Sequence, residues 1–91
     1  MNLGFSIKDI RTRKKIKSKE LADKCGISRT AMVNIEHGRS FPSYKTIQNI
    51  CDAMGVTEGF LLFNCLTEDD VPEAKRESFK LLIDPLKTLF V

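Results

Sequence analysis

The residues best suited to directional chemistry fall in one stretch, SKELADKCGISRTAMVNIEHG, at residues 18–38. Arg29, Thr30 and Asn34 are spaced to share one face of a helix, with Val33 beside them. A guanidinium, a hydroxyl and an amide together offer several hydrogen-bond donors and acceptors. This face is suited to binding a polar surface, provided that the surrounding elements hold it outward.

Those elements are predicted to be two short helices joined by a tight turn. Ala22 is small where a second helix must cross closely, and Gly26 permits a sharp turn. Two helices held at roughly 90–120° in this way form a helix-turn-helix, whose second helix presents its outer face. The residues that would point back to the core are Ile27, Met32 and Ile35.

Apolar residues recur every three to four positions along most of the chain, which predicts amphipathic helices packed on one core. No alternating apolar run flanked by a hairpin turn indicates a strand. Glycines just past the apolar stripes and serines just before them mark helix ends and starts. The predicted class is therefore all-α. The predicted helices cover residues 3–14, 18–25, 29–37, 43–54 and 57–64.

The C-terminal segment 65–91 differs from the rest of the chain. An acidic connector, NCLTEDDV at residues 64–71, leads to Pro72, which suits the first position of a helix over 72–83. Pro85 predicts a kinked or restarted turn through 85–90. Its apolar stripe could close over the chain's own core or pair across a two-fold axis, and we favour pairing. The predicted dimer interface comprises Phe79, Leu82, Ile83, Leu86, Leu89 and Phe90.

Few residues could support catalysis or metal binding. The chain has no phosphate-binding glycine loop, no nucleophile paired with a base and no carboxylate pair in a plausible pocket. His37 is the single histidine, and the cysteines form no CxxC pair. We predict no enzyme activity, no cofactor and no metal site. A redox or metal role is the alternative to buried, reduced thiols for Cys25, Cys51 and Cys65.

Charge is unevenly distributed along the chain. Residues 1–45 carry eleven Lys or Arg against four acids, a net +7, and residues 46–91 carry a net −4. This asymmetry indicates a basic face for a polyanion, the alternative being an unevenly charged solvated surface.

Length and hydropathy set the class of protein. The 91 residues are enough for one domain, and no apolar run approaches the roughly 18 residues that span a bilayer. The N-terminus lacks the plan of a signal peptide. We expect no membrane partner and a cytoplasmic location.

Residues 3–62 resemble the Cro/repressor type of helix-turn-helix, also called the XRE family. The resemblance runs through LGFSIKDIR, ELADKCGIS, IEHG, FPSYKTIQNICDAMGV and TEGFLL in the expected order. It implies a five-helix, lambda-repressor-like DNA-binding domain at residues 1–64, here with a C-terminal helical extension at 65–91. Proteins of this family usually act as dimeric transcription regulators.

The resemblance also implies roles for single residues. Arg29, Thr30, Val33 and Asn34 match the positions that face base edges in the major groove. Ser28 matches a helix cap whose hydroxyl lies near a phosphate. An ion pair between Arg11 and Glu36 would tie the first helix to the third. Further contacts to the DNA backbone are expected from Lys17, Ser18, Lys19, His37, Arg39, Ser40 and Lys45.

The chain departs from the family pattern in two places. Lys17 and Ser18 stand where Ser or Thr followed by Gln is frequent, so Ser18 is expected to cap the second helix. Lys15 stands where the family has glycine between the first two helices. A non-glycine residue at positive φ is strained, so a different turn is expected there.

The sequence therefore predicts a DNA-bound regulator, bacterial or phage-encoded, that binds a near-palindromic site on double-stranded DNA as a homodimer, with the third helix in the major groove. The alternative is an antitoxin or antagonist that masks a protein partner. The operator sequence, the regulated genes and the sign of regulation are not encoded in any pattern of the chain.

Overall fold

The computed structural model describes residues 2–91 and is all-helical over that range. Short connecting segments separate its six α-helices. Two single-turn 3₁₀ helices, Glu68–Asp70 and Glu73–Lys75, precede the sixth α-helix. The all-α prediction is confirmed, and the five helices predicted in residues 3–64 end within one residue of the observed bounds. The helices are α1 (Leu3–Arg13), α2 (Ser18–Cys25), α3 (Arg29–Glu36), α4 (Tyr44–Met54), α5 (Glu58–Asn64) and α6 (Arg76–Lys87).

Side-chain caps explain where four of these helices begin. Each cap is an Asn, Ser or Thr whose side-chain oxygen accepts a backbone N–H from the first turn. Gly26 and Gly55 end α2 and α4 in the left-handed region, at φ 68° and 71°. The capping residues are Asn2, Ser28, Ser43 and Thr57.

The core is formed entirely by α1–α5. Its twelve clustered buried residues lie between Ile7 and Leu61, and α2 packs on both α3 and α4 while α1 packs on α3 and α5. The first five helices therefore have a core of their own before the C-terminal segment is added. The largest fully buried apolar side chains in it are Ile7, Ile10, Leu21, Met32, Ile50 and Leu61.

Gly4 permits the close crossing of α1 and α3. A Cβ atom at this position would overlap the carbonyl oxygen of Ile35 and lie 2.6 Å from that of Glu36. Because both obstacles are backbone atoms, no side-chain rotation would relieve the overlap. Gly4 was not singled out in the sequence, where it is one glycine inside an otherwise ordinary helical pattern.

The turn between α1 and α2 keeps the positive φ that the family's glycine would allow. Lys15 adopts φ 59°, so the expectation of a different turn is wrong. The turn is held from both sides, since Lys15 N–H donates to Thr12 O and Ile16 N–H donates to Arg11 O, each at 3.0 Å. Surrounding contacts therefore impose a conformation that is costly for a side chain with a Cβ.

Replacing Lys15 with glycine should stabilise the protein. Relief of the left-handed strain should stabilise the folded state by about 1–2 kcal/mol. The greater conformational entropy of glycine in the unfolded state should offset about 0.5–1 kcal/mol of this gain. We expect a net gain of about 0.5–1 kcal/mol in urea unfolding followed by circular dichroism. Lys15→Ala is the matched control, because it removes the charge and keeps the Cβ. An equal gain from Lys15→Ala would assign the effect to charge.

The C-terminal helix begins and ends later than predicted. The segment after Pro72 first forms the 3₁₀ turn Glu73–Lys75, and α6 starts at Arg76, whose guanidinium Nε donates to Glu68 O at 3.1 Å. Pro85 does not break the helix after residue 83, and α6 continues to Lys87. The proline lies in the last turn, where its missing N–H removes only one hydrogen bond.

The predicted dimer interface is divided between two faces. Ile83 is buried and Phe79 is half-buried, and the Phe90 ring stacks on Phe60 with centroids 4.8 Å apart while Phe90 stays 54% exposed. The remaining members, Leu82, Leu86 and Leu89, are also exposed. The assignment of the six residues to a dimer interface stays a prediction.

Candidate nucleic-acid interface

The helix-turn-helix is formed by α2, the turn at Gly26 and α3. Ile27 N–H donates to Ala22 O at 3.1 Å across the turn, and the fully buried Ala22 and Met32 lie in the core cluster that both helices share. Ser28 Oγ accepts the Ala31 N–H at 3.0 Å, which uses a lone pair and leaves the hydroxyl hydrogen available. The second helix is therefore fixed from its first residue.

The outer face of α3 has the four predicted side chains on it. Arg29 and Thr30 are exposed, and Val33 and Asn34 are half-buried. The Arg29 side chain makes no hydrogen bond or ion pair within residues 2–91, so its guanidinium can bind another molecule without losing a contact. Arg can pair with guanine O6 and N7, and Asn with adenine, in the geometry that base edges present.

Asn34 is already engaged by the loop that follows α3. Its Oδ1 lies 3.5 Å from Arg39 Nη1, and its backbone oxygen accepts the N–H groups of Arg39 at 2.9 Å and Ser40 at 3.4 Å. These hydrogen bonds tie the carboxyl end of α3 to the start of the loop. Residues predicted separately for base and backbone contact are brought together here.

Most residues predicted to contact the DNA backbone have exposed side chains. These are Ser28 and six others, whereas Ser18 is half-buried. Lys17 is the N-cap of α2 and makes no side-chain capping bond, so the predicted cap by Ser18 is wrong. Ser18 is the first helical residue, and its Oγ is buried with no hydrogen-bond partner among the described residues. Only its backbone N–H is then suited to a phosphate. The exposed residues are Lys17, Lys19, His37, Arg39, Ser40 and Lys45.

A buried ion pair braces α3 against α1. Arg11 Nη2 and Nε donate to the two oxygens of Glu36 at 2.9 and 3.0 Å, and the side chains are 11% and 5% exposed. Arg11 Nη1 also donates to Ile16 O at 2.9 Å. One guanidinium therefore binds the last residue of α3 and the turn before α2, which fixes both helices of the motif relative to α1.

Exposed basic and acidic side chains belong to different elements of the structure. The exposed cations of α2, α3 and the following loop contrast with the acidic 3₁₀ turn Glu68–Asp70 near α6. Lys80 is paired there with Glu68 at 3.2 Å. Lys17, Lys19, Arg29 and Lys45, all in the first half of the chain, are exposed and make no ion pair among the described residues.

An exposed aromatic residue in the loop after α3 was missed by the sequence reasoning. Phe41 is 80% exposed and lines a surface pocket of about 220 Å³ with Leu3, Gly38 and neighbouring residues. The signal was a single large apolar residue between Ser40 and Pro42 in a polar loop.

The thiols are buried and free. Burial raises the pKa of Cys25 and of Cys65, and it raises the pKa of Cys51 to about 11. All three therefore stay protonated near neutral pH, where thiolate reactivity is low. Residues 2–91 contain no group of three His, Cys, Asp or Glu side chains placed to hold a metal ion, and no helix there is long and apolar enough to cross a membrane.

Comparison with known proteins places the chain in a family. A family model described as "Helix-turn-helix" matches residues 7–61, more than half of the chain. The chain belongs to this helix-turn-helix family. The resemblance of this helix-turn-helix protein to the family, found in the sequence, is confirmed.

Three curated relatives carry names from gene regulation. A 10 kDa protein of the ImmF control region of Bacillus phage phi105 is 48% identical over 48 residues, which cover 53% of each chain. An uncharacterized HTH-type transcriptional regulator, YqaE of Bacillus subtilis strain 168, is 35% identical over 88% of this chain and 66% of its own. The phage phi105 immunity repressor is 36% identical over 62% of this chain and 39% of its own. The helix-turn-helix chain thus spans about two fifths to two thirds of these relatives' lengths.

Solved structures agree on the fold. Two crystal structures of the clp gene regulator ClgR from Corynebacterium glutamicum superpose with TM-scores of 0.68 and 0.70. The first is 25% identical and covers 70% of this chain and 83% of its own, and the second is 20% identical and covers 97% and 86%. The second likeness shows the fold alone, and it includes the C-terminal segment.

Proposed function

We propose that the protein is a sequence-specific DNA-binding transcription regulator that inserts α3 into the major groove. The observation that carries the proposal is the outer face of α3, where Arg29 is exposed and without a protein partner on a helix braced by the Arg11–Glu36 ion pair. Thr30, Val33 and Asn34 complete a face with the donors, acceptors and methyl groups that distinguish base pairs.

The surrounding cations would fix the register on DNA. Exposed side chains are present at the start of α2, in the loop after α3 and in α4. Contacts to phosphates hold a protein in place and carry no sequence information directly. The proposed backbone contacts are Lys17, Lys19, Ser28, His37, Arg39, Ser40 and Lys45, with the backbone N–H of Ser18.

We further propose that two copies bind a near-palindromic operator. Residues 1–64 would be the DNA-binding unit and residues 65–91 the dimerisation segment. A two-fold dimer would place two α3 helices about 34 Å apart, which is one turn of DNA. Relatives named as a transcriptional regulator and an immunity repressor support action on DNA, and they favour a binding protein over an enzyme.

Selection of bound sequences from a random DNA pool tests the proposal. A single enriched motif with two inverted half-sites is expected. Enrichment of no motif would contradict sequence-specific binding, and one half-site alone would contradict the palindrome.

A second candidate function is a role as an antitoxin or antagonist that masks a protein. The exposed leucines of α6 and the acidic connector favour it, because they are surfaces that DNA would not use. Light scattering after pull-down from the host separates the two candidates. A stoichiometric partner of a different mass favours masking, and a homodimer favours the regulator.

Arg29→Ala should weaken binding to the selected site by about 1–3 kcal/mol and relax the choice of base at one position. The reason is loss of a paired donor that reads one base. Titration against the preferred site and its single-base variants provides the measurement. Arg13→Ala is the control, since Arg13 is an exposed arginine paired with Asp9 on α1, outside the proposed site. An equal loss on every sequence would reassign Arg29 to phosphate contact.

A further inference from the structure

The end of α3 and the start of the following loop form a Schellman motif, the turn in which a left-handed residue ends a helix. Gly38 is the left-handed residue, at φ 75°. Its N–H donates to Ile35 O at 3.1 Å, and the N–H of Arg39 donates to Asn34 O at 2.9 Å. The path by which the chain leaves α3 is therefore fixed by backbone hydrogen bonds.

This motif brings the side chains of Asn34 and Arg39 together. The residue after the left-handed position frequently packs on the residue five earlier in such turns, usually through an apolar contact. Here both side chains are polar, and Arg39 Nη1 lies 3.5 Å from Asn34 Oδ1. The pairing of the two side chains is thus a consequence of the backbone turn.

The chemistry of the pair sets the orientation of the Asn34 amide. A guanidinium has donors and no acceptor, so only the amide oxygen can face Arg39, and Nδ2 must point elsewhere. An exchange of Oδ1 and Nδ2 would bring donors against donors. The Nε and Nη2 groups of Arg39 make no hydrogen bond within residues 2–91, so they can bind a phosphate while Nη1 holds the amide.

An amide with a fixed orientation distinguishes adenine from thymine. Adenine presents the acceptor N7 and the donor N6–H in the major groove, which match the N–H and the oxygen of one amide orientation. Thymine presents the acceptor O4 and a methyl group, so the amide oxygen would meet another acceptor. A freely turning amide could instead donate from Nδ2 to thymine O4, and the distinction would be reduced.

We infer that Arg39 is a positioning residue that fixes the Asn34 amide, so that Asn34 reads adenine and rejects thymine. The inference rests on the proposed function, which inserts α3 into the major groove. It gives Arg39 an indirect share in sequence recognition besides its proposed phosphate contact.

Affinity ratios at one base pair of the selected site test the inference. Asn34→Ala identifies that base pair, because this variant should abolish the base preference there. The wild type should prefer adenine to thymine by about 5- to 150-fold, the discrimination of a bidentate pair. Arg39→Ala should lower this ratio by about twofold or more, as expected for two residues of one hydrogen-bond network. Arg39→Lys should keep most of the ratio, since an ammonium group is also a donor without an acceptor.

Lys45→Ala is the matched control for the loss of a cation. Lys45 is exposed and is proposed to contact a phosphate, and its side chain makes no hydrogen bond within residues 2–91. Its removal should weaken binding to the adenine and thymine sites equally. If Arg39→Ala also weakened both equally, or if the wild type preferred another base there, the inference would be overturned.

The amide can also be observed without DNA. NMR relaxation of the side-chain nitrogen in the free protein measures how freely the Asn34 amide moves. Arg39→Ala should increase this motion and leave Asn49 unchanged, because Asn49 is a half-buried asparagine of α4 whose side chain makes no hydrogen bond within residues 2–91. An Asn34 amide equally mobile with and without Arg39 would overturn the inference alone. A wild type that selects no DNA sequence would contradict the proposed function instead.

Discussion

Glu36→Leu should lower the free energy of unfolding by about 3–5 kcal/mol. The substitution leaves the Arg11 guanidinium buried without its carboxylate, which is the costly way to break a buried ion pair. Because Ile16 O remains as its only bonded partner, the charge keeps one of three hydrogen bonds. Urea unfolding followed by circular dichroism measures the loss.

The double variant Arg11→Met with Glu36→Leu separates the two contributions. Replacing both charges with apolar groups of similar length should restore most of the stability lost in Glu36→Leu, since no unpaired charge remains. DNA affinity should recover less, because the pair also sets the angle of α3. A double variant as unstable as Glu36→Leu alone would show that loss of the pair itself, and not the orphaned charge, accounts for the cost.

DNA affinity should fall by about four orders of magnitude between 50 and 200 mM salt. Four lysine or arginine contacts in each of two subunits would neutralise about eight phosphates, with a slope of about −0.9 per contact in a plot of log K against log salt. The proposed contacts are those of Lys17, Lys19, Arg39 and Lys45. Fluorescence anisotropy across a salt series gives the slope.

Lys45→Ala should make that slope shallower by about 0.9 for each subunit bound. Lys24→Ala is the control, because Lys24 lies in the same half of the chain and is paired with Glu20 at 3.7 Å. A slope near zero for the wild type would remove the polyanion interpretation altogether.

The first five helices were predictable because their signals are local. Ser28, Ser43 and Thr57 cap helices through contacts three residues away, and Gly26 and Gly55 end them in the left-handed region. Such contacts depend on neighbouring residues alone, so they can be predicted from the sequence.

The departures arise where distant parts of the chain decide. Lys15 is at positive φ in a turn tied to α3 by Arg11, whose guanidinium donates to Ile16 O and pairs with Glu36. Serine is a favoured N-cap residue, but Lys17 occupies the N-cap of α2 and Ser18 is its first helical residue. The orientation of α6 depends on Phe60, which the stripe of α6 does not reveal.

The candidate site was predictable in identity and less so in its couplings. Arg29, Thr30, Val33 and Asn34 lie together on α3 because helical spacing alone requires it. The contact of Asn34 with Arg39 depends on how the chain leaves the helix, and no periodic pattern describes that exit.

The buried cysteines give the protein three internal reporters of local opening. Cys25 lies in α2, Cys51 in α4 and Cys65 directly after α5, and each is buried as a free thiol. A bulky disulfide reagent can reach such a thiol only when its surroundings open, so each labelling rate reports the opening free energy of one region. The helix-turn-helix, the α4 side of the core and the attachment of the C-terminal segment can thus be ranked by stability in a single reaction, without adding a probe.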